Sequence, residues 1–293
     1  MNLDVEQLQT LLAVVDAGSF DDASIDLGIS ASAVSQRIKA LENRLGSILL
    51  VRARPVVPTE QGSAVLRYAR QISQLNSEFN REIMDSSRVS MSIGVNSDSL
   101  ATWFPPVFQE MAQWQDVSCE IIRTDENHAV DLLRNGRVSG AVTNSVEVAQ
   151  GCHSEPLGVM RYHAVAAEAV ADRWLSGPAA DLSAVPLVVF DREDPLQQRM
   201  LQQLLGPEAR PKNQVHYVPD SQQYLAAVTA GLGWGMVPEQ QLNAQHGLRY
   251  LDPQWHIDVP LYFQHWAVQS PLLSRLTAVL VKAARAGGLD LLA

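Results

Sequence analysis

Residues 31–45 read Ala31-Ser32-Ala33-Val34-Ser35-Gln36-Arg37-Ile38-Lys39-Ala40-Leu41-Glu42-Asn43-Arg44-Leu45, and Gly46 follows at once. Val34, Ile38, Leu41 and Leu45 step by helical spacings, which draws one apolar stripe along a helix. At about 100° per residue the opposite face carries Ser32, Gln36, Lys39 and Asn43, with Ser35 and Arg37 on its flanks. Ser30 or Ser32 can cap the start, and Gly46 stands where a helix end favours a left-handed residue. Upstream, Leu8, Leu11, Leu12 and Val15 form an apolar helical face ending near Gly18. A short second helix with Ala23, Ile25 and Leu27, capped by Ser19 or Asp21, stops at Gly28. Two helices joined by a glycine-containing turn and packed on a third form a helix-turn-helix, whose last helix can enter the DNA major groove.

The outward side chains suit that task. Amides read adenine, hydroxyls read either base edges or phosphates, and Arg or Lys takes phosphate or guanine. From Ala31 to Arg54 the chain holds five basic residues, Arg37, Lys39, Arg44, Arg52 and Arg54, against the single acid Glu42. An ordinary solvated helix in a three-helix bundle is the competing reading. After Gly46, Ile48 to Val57 is β-prone, with Arg52 and Arg54 in phase and Pro55 at a turn, as in a wing that grips the phosphate backbone. The candidate DNA contacts are therefore Ser32, Ser35, Gln36, Arg37, Lys39, Asn43, Arg52 and Arg54. Thr59 and Gly62 then open a long helix in which Val65, Tyr68, Ile72, Leu75, Phe79 and Ile83 approach a heptad seam. Such a face calls for a partner helix, most simply from a second copy of the chain; packing on its own domain is the alternative.

At 293 residues, with 46 % hydrophobic, 18 % charged and 6 % aromatic side chains, the chain has the composition of a globular protein with two or three domains. The net charge of −10 argues against general electrostatic attraction to nucleic acid, so any basic patch must be local. Residues 1–88 hold nine basic and eleven acidic side chains, and the remainder thirteen and twenty-one, so most of the acidity lies in the second part. We expect a winged helix-turn-helix over 1–58, a linker and dimerisation helix over 59–88 ending near Ser86-Ser87-Arg88, and an effector-binding part over 89–293. Apolar runs fall short of the roughly 20 residues that cross a bilayer, and Asp4 and Glu6 do not suit a signal peptide, so a cytoplasmic protein without a membrane partner is expected. Cys119 and Cys152 have no CxxC spacing and read as reduced thiols.

From Val89 onward the pattern changes to parallel βα units. Strands are expected at Ser90–Val95, Val117–Arg123 and Gly140–Thr143, with helices at Ser99–Trp114 and Val130–Asn135. A second series has a β-rich stretch from Arg161 to Ala166 and strands at Pro186–Phe190 and Val215–Val218. Its helices are expected near Glu168–Leu175, Pro195–Leu205 and Ser221–Ala230. The architecture is thus an all-α winged helix-turn-helix with a long linker helix, followed by a two-lobed α/β part with a ligand cleft at the carboxyl ends of its strands.

Several of these residues carry a family likeness. Ala23, Ala31-Ser32-Ala33-Val34-Ser35-Gln36-Arg37-Ile38, Leu41-Glu42, Gly46, Leu49-Leu50-Val51-Arg52 and Pro58-Thr59-Glu60-Gln61-Gly62 resemble the winged helix-turn-helix of LysR-type transcriptional regulators. Val95-Asn96-Ser97-Asp98-Ser99-Leu100-Ala101-Thr102-Trp103, Gly140-Ala141-Val142, Leu157-Gly158, Met160-Arg161-Tyr162, Gly231-Leu232-Gly233-Trp234-Gly235-Met236 and Pro260-Leu261-Tyr262 look like the branch that controls export of basic amino acids. The likeness covers nearly the whole chain; one departure is Leu50-Val51 where the family usually has Leu-Phe. It implies a periplasmic-binding-protein-like effector part, with lobe one over about 89–160 and 268–293 and lobe two over about 161–267, whose last helix, near Leu272 to Arg285, crosses back to the first lobe. It also implies a homodimer or homotetramer that binds promoter DNA, answers to a small effector and has RNA polymerase as a candidate partner.

Strand-to-helix loops would present Asn96, Ser97, Asp98, Ser99 and Thr102, then Asp125, Glu126, His128 and Thr143, and in the second lobe Asp191, Asp194 and Ser221. Many carboxylates without Lys suit a cationic ligand, and lysine, arginine or histidine fits on charge and on resemblance. Asp98 and Asp125 are the candidates for its cationic ends, and Ser97, Ser99 and Thr143 for its carboxylate; solvated loop caps are the competing reading for the acids. Trp103 and Trp234 either wall the pocket or pack in the core. An enzyme is not expected: there is no GxSxG, Walker or HExxH motif, and the seven histidines show no metal-ligand spacing. His128 beside Asp125 is the least implausible acid–base pair. No metal or cofactor is called for. The alternatives are a regulator with a different effector, or a small-molecule-binding protein whose helix-turn-helix only dimerises.

Overall fold

Short polar side chains set the helix starts. In the computed structural model, which describes residues 3–84, 89–115, 117–175, 181–242 and 247–291 apart from the side chains of residues 81, 82, 84, 126, 127 and 175, Asp4 accepts from Glu6 N–H at 2.9 Å and opens α1 (Val5–Ala17). The expected boundary at Ser86-Ser87-Arg88 lies outside the described residues. Ser19 accepts from Asp22 N–H at 3.0 Å and opens α2 (Phe20–Leu27). Ser30 accepts from Ala33 N–H at 3.2 Å and opens α3 (Ala31–Leu45). Of the paired candidates for these two caps, Ser19 and Ser30 are the ones used. Leu11, Val14, Ala23, Val34, Ile38 and Leu41 share one buried cluster with Leu49, Leu50, Val56 and Leu66.

The wing forms as β1 (Leu50–Val51) paired antiparallel with β2 (Val57–Pro58), and its turn contains a cis Arg54–Pro55 bond. Thr59 joins the wing to α4 (Glu60–Met84). Its hydroxyl accepts from Gly62 N–H at 3.0 Å and donates to the Ile48 carbonyl at 2.8 Å. Gly62 lies so close to the Leu49 carbonyl that any Cβ there would collide with backbone. Along α4, Leu66 and Ala69 are buried, whereas Tyr68, Leu75, Phe79 and Ile83 of the expected seam are exposed, Phe79 at 59 % and Ile83 at 65 %.

Beyond residue 88 come β3 (Val89–Val95), α5 (Ser97–Ala101), α6 (Pro105–Met111), β4 (Val117–Arg123), α7 (Glu126–Arg134), β5 (Gly140–Thr143) and β6 (Cys152–Ala167). They are followed by α8 (Glu168–Leu175), β7 (Leu187–Val189), α9 (Leu196–Leu205), β8 (Val215–Tyr217) and α10 (Ser221–Thr229). The chain closes with β9 (Gly235–Pro238), α11 (Glu239–Leu242), β10 (Leu248–Tyr250), β11 (His256–Trp266) and α12 (Pro271–Ala286). The single helix expected over Ser99–Trp114 is two helices. Thr102 leaves helical geometry, and the Pro105-Pro106 pair, which lacks backbone donors, opens the second one. α7 starts four residues before the expected Val130, and β6 runs for 16 residues where only Arg161 to Ala166 was read as β-rich.

Contacts divide the chain into two compact units. The first comprises Met1–Val95, Trp114–Ser154 and Gln264–Leu276, and the second Asn96–Gln113, Glu155–Phe263 and Thr277–Ala293. In the first, β3 runs parallel to β4 and to β5, with Ile93 opposite Ile121 and Gly140. In the second, β6 is antiparallel to β9 and β10, β7 is parallel to β8, and Val165, Val188, Tyr224, Val228 and Val237 lie in a shared core. Trp103 and Trp234 are both fully buried core side chains.

Candidate functional site

On α3 the stripe Val34, Ile38 and Leu41 is buried, and the residues that face away from it, Ser32, Gln36, Lys39 and Asn43, are exposed. Ser35 and Arg37 are half-buried on the flanks. The Ser32 hydroxyl lies 2.9 Å from that of the cap Ser30, and Arg37 pairs with Glu6 of α1 at 2.8 Å. Arg52 and Arg54 are exposed on the wing, with the Arg52 guanidinium 5.2 Å from the centre of the Phe20 ring. The helix thus presents a polar, partly basic edge beside a wing with two cations, on a domain whose other acids lie mainly on α1 and α2.

A second site lies within the second unit. Asp98, in the first turn of α5, is half-buried with its carboxyl group enclosed. It accepts from the Ser221 hydroxyl at 2.5 Å and from the Tyr162 hydroxyl at 2.8 Å. No basic side chain pairs with it among the described residues. Desolvation by burial pushes its pKa up, against the two hydroxyls, which pull it down. Asp194 is driven the same way by burial, with a further push from the Asp98 charge, although it accepts from Leu196 N–H at 2.9 Å and Phe190 N–H at 3.3 Å.

The surroundings are rich in acceptors. Gln241 donates its amide to the Ser221 hydroxyl at 3.0 Å, and Gln197 donates to the Tyr224 hydroxyl at 2.8 Å. The carbonyl oxygens of both glutamines, and that of Asn96 before α5, are buried and have no hydrogen-bond partner among the described residues. The Tyr224 hydroxyl donates to the Val188 carbonyl at 3.1 Å and accepts from Met236 N–H at 2.8 Å. Burial and the nearby Asp194 keep that phenol protonated, well above its ordinary range. Two carboxylates and several unpaired carbonyl oxygens want donors, and an ammonium or guanidinium offers only donors.

The other candidates are placed as follows. Ser97 opens α5, Ser99 is fully buried, and the Thr102 hydroxyl donates to the Asp98 carbonyl at 2.6 Å. Asp191 accepts from Glu193 N–H and Asp194 N–H, which shapes its own loop. In the first unit, Asp125 caps α7 by accepting from His128 N–H at 2.9 Å and lies 2.7 Å from His128 Nδ1, both side chains being open to solvent. Glu126 opens α7, and its side chain lies outside the described residues. Thr143 ends β5, buried, and accepts from Ser145 N–H at 3.1 Å. Sequence reasoning had not singled out Gln197, Gln241, Tyr224 or the role of Tyr162. Gln197 lies 27 residues from its partner Tyr224, Gln241 20 residues from Ser221 and Tyr162 64 residues from Asp98, separations that leave no local pattern to read.

Comparison with known proteins matches residues 5–63 to the bacterial regulatory helix-turn-helix protein, lysR family, and residues 85–286 to the LysR substrate binding domain. A lysine export transcriptional regulatory protein, LysG of Corynebacterium efficiens, is 41 % identical over 96 % of this chain and 97 % of its own. An HTH-type transcriptional regulator, ArgP of Pseudomonas aeruginosa, is 37 % identical over 97 % and 96 %. Among solved structures, ArgP from Mycobacterium tuberculosis superposes with a TM-score of 0.90 at 39 % identity, covering 99 % of each chain. Full-length LysG from Corynebacterium glutamicum with bound effector Arg superposes with 0.84 at 38 % identity, covering 98 % of this chain and 100 % of its own.

The raised carboxyl pKa of Asp98 has a testable sign. The native state holds this proton more tightly than the unfolded chain, so the group's contribution to stability is present at low pH and is lost as pH rises above the ordinary carboxylate range. Thermal melts of the unliganded protein and of Asp98→Asn between about pH 4.5 and 8 should therefore show a melting-temperature difference that moves in favour of the variant as pH rises. A difference independent of pH would contradict the burial argument.

Proposed function

The chain belongs to the LysR family of bacterial transcriptional regulators, and on that footing we propose that it senses a basic amino acid, lysine, arginine or histidine, and controls transcription of an amino-acid exporter. The observation that carries the reading is the enclosed Asp98 carboxylate, set among unpaired carbonyl oxygens with no basic side chain to neutralise it. A ligand with an ammonium or guanidinium group supplies the missing donors. Asp98 and Asp194 would take the cationic group, with Ser221, Asn96, Ser97, Ser99, Thr102 and Asp191 around them. Asp125, Glu126, His128 and Thr143 remain candidates on the first unit. The name of LysG and its solved form with Arg point to the same ligand class.

At the other end of the chain, Gln36, Asn43, Ser32 and Ser35 would read base edges, and Lys39, Arg52 and Arg54 would take phosphates. Arg37, now tied to Glu6, would exchange that partner for a phosphate at the flank. The exposed Tyr68, Leu75, Phe79 and Ile83 of α4 would be covered by the same face of a second copy, giving a homodimer or homotetramer. We read the protein as a cytoplasmic regulator and not as an enzyme, with RNA polymerase as a partner at the promoter. No described helix is long and apolar enough to cross a membrane.

Calorimetric titration with arginine, lysine, histidine and leucine tests the effector assignment. Saturable binding of at least one basic amino acid and none of leucine is expected, with Asp98→Asn weakening it by roughly 10- to 150-fold, the worth of a hydrogen bond to a charged group. Equal binding by the variant would remove Asp98 from the site. For the DNA face, Lys39→Ala should weaken binding to specific and random duplexes alike and lower the salt slope of log K by about 1. An unchanged slope would show that Lys39 does not touch phosphate.

A further inference from the structure

Gln74, midway along α4, is only 6 % exposed, and both ends of its amide are in use. Its Oε1 accepts from the Ser139 hydroxyl at 2.9 Å, and its Nε2 donates to the Ser270 hydroxyl at 3.3 Å and to Glu78 Oε1 at 2.9 Å. Ser270 also donates to Glu78 at 2.7 Å and caps α12, accepting from Leu273 N–H at 3.0 Å. One turn earlier on α4, Arg70 donates to the Asn135 carbonyl at 3.2 Å and pairs with Asp16 of α1 at 2.6 Å. Arg67 reaches the Arg134 carbonyl at 3.4 Å. These carbonyls close the C-terminal end of α7, where the helix dipole favours cations. Gly136 follows at φ +75° and abuts α4 so tightly that a Cβ would stand 2.8 Å from Arg67 Cα.

These contacts share one geometry. α4 holds the near ends of three elements whose far ends carry effector candidates. β5 begins just after Ser139 and ends at Thr143. α7 ends at Arg134 and begins beside Asp125. α12 begins after Ser270, and past its other end Gly287 packs against the side chain of Trp103, the residue after Thr102. A cavity of about 480 Å³ beside the joint, lined in part by Asp16, Arg70, Ser73, Gln74 and Ser139, gives these polar groups room to change partners.

We infer that Gln74, with Arg67 and Arg70, is the joint through which effector occupancy reaches α4 and, through it, the helix-turn-helix. It rests on the effector reading above. A buried amide is costly when unpaired, so a small displacement of Ser139 or Ser270 switches the joint between bonded and unbonded arrangements and does not bend it gradually. These are positioning residues; none is assigned to the effector or to DNA.

Hydrogen exchange of the full chain with and without arginine, read by mass spectrometry, tests the joint. In the native protein arginine should change exchange both in α5 and in residues 66–80 of α4. In Gln74→Leu, which keeps the size and helix preference of the side chain, the α5 change should persist while the α4 change falls at least about fivefold, the lower end of ordinary allosteric coupling. Arg70→Gln, on the rim of the joint, should act in the same direction and guards against a folding defect in the first variant. A native-like α4 response in both variants, or an α5 response without any α4 response in the native protein, would overturn the joint alone. No response anywhere in the native protein to arginine, nor to lysine or histidine used in its place, would overturn the effector reading and the joint with it.

Discussion

The second unit is organised around one negative charge taken out of water. Three elements meet at the Asp98 carboxylate: α5 supplies it, α10 supplies the Ser221 hydroxyl and β6 supplies the Tyr162 hydroxyl. Two hydroxyl donors reduce the cost of burying a carboxylate but do not neutralise it, and the raised pKa registers the deficit. Asp194 adds a second acid in the same state, and the orphan carbonyls of Asn96, Gln197 and Gln241 add unmet acceptors. Natural proteins rarely leave such a group of acceptors unmatched, and the cationic effector proposed for this site would supply the missing donors.

The DNA-reading end solves a different electrostatic problem. The chain is acidic as a whole, and even residues 1–88 hold more acids than bases. The fold separates the charges. Asp21, Asp22 and Asp26 are carried on α2, while Lys39, Arg52 and Arg54 project from α3 and the wing. The wing is placed against α3 by short-range bonds. Glu42 accepts from Leu49 N–H at 2.8 Å, Thr59 bridges to Ile48, and Gly62 lets α4 start directly under the Leu49 carbonyl. Removing long-range attraction leaves recognition to close contacts, which is the regime where base-edge readout dominates over general affinity.

How much of this could be read from the sequence depended on the distance over which the determining interaction acts. The α3 stripe and its exposed counterpart were legible because Val34, Ile38 and Leu41 repeat at the period of the helix itself. Caps were legible to within a pair of residues, since Ser30 and Ser32 have equal local claims and only the geometry of Ala33 N–H separates them. The length of β6 was not, because pairing with β9 and β10 covers only Tyr162–Ala167, the stretch already β-rich in sequence, and β6 also has the distant strand β11 as a neighbour in the sheet. Asp98 was named from its place after a strand. Its partners, 64 and 123 residues away, could not be named by the same reasoning. The carboxylates of Asp125 and Asp191, equally plausible in sequence, also accept backbone N–H bonds within their own loops.

The most direct test is a crystal structure of the intact protein with arginine bound. The account predicts a guanidinium or ammonium nitrogen of the ligand within ion-pair distance of Asp98, with the Gln197 or Gln241 carbonyl oxygens accepting from it. A ligand whose cationic groups pair elsewhere, while Asp98 keeps only Ser221 and Tyr162, would contradict it.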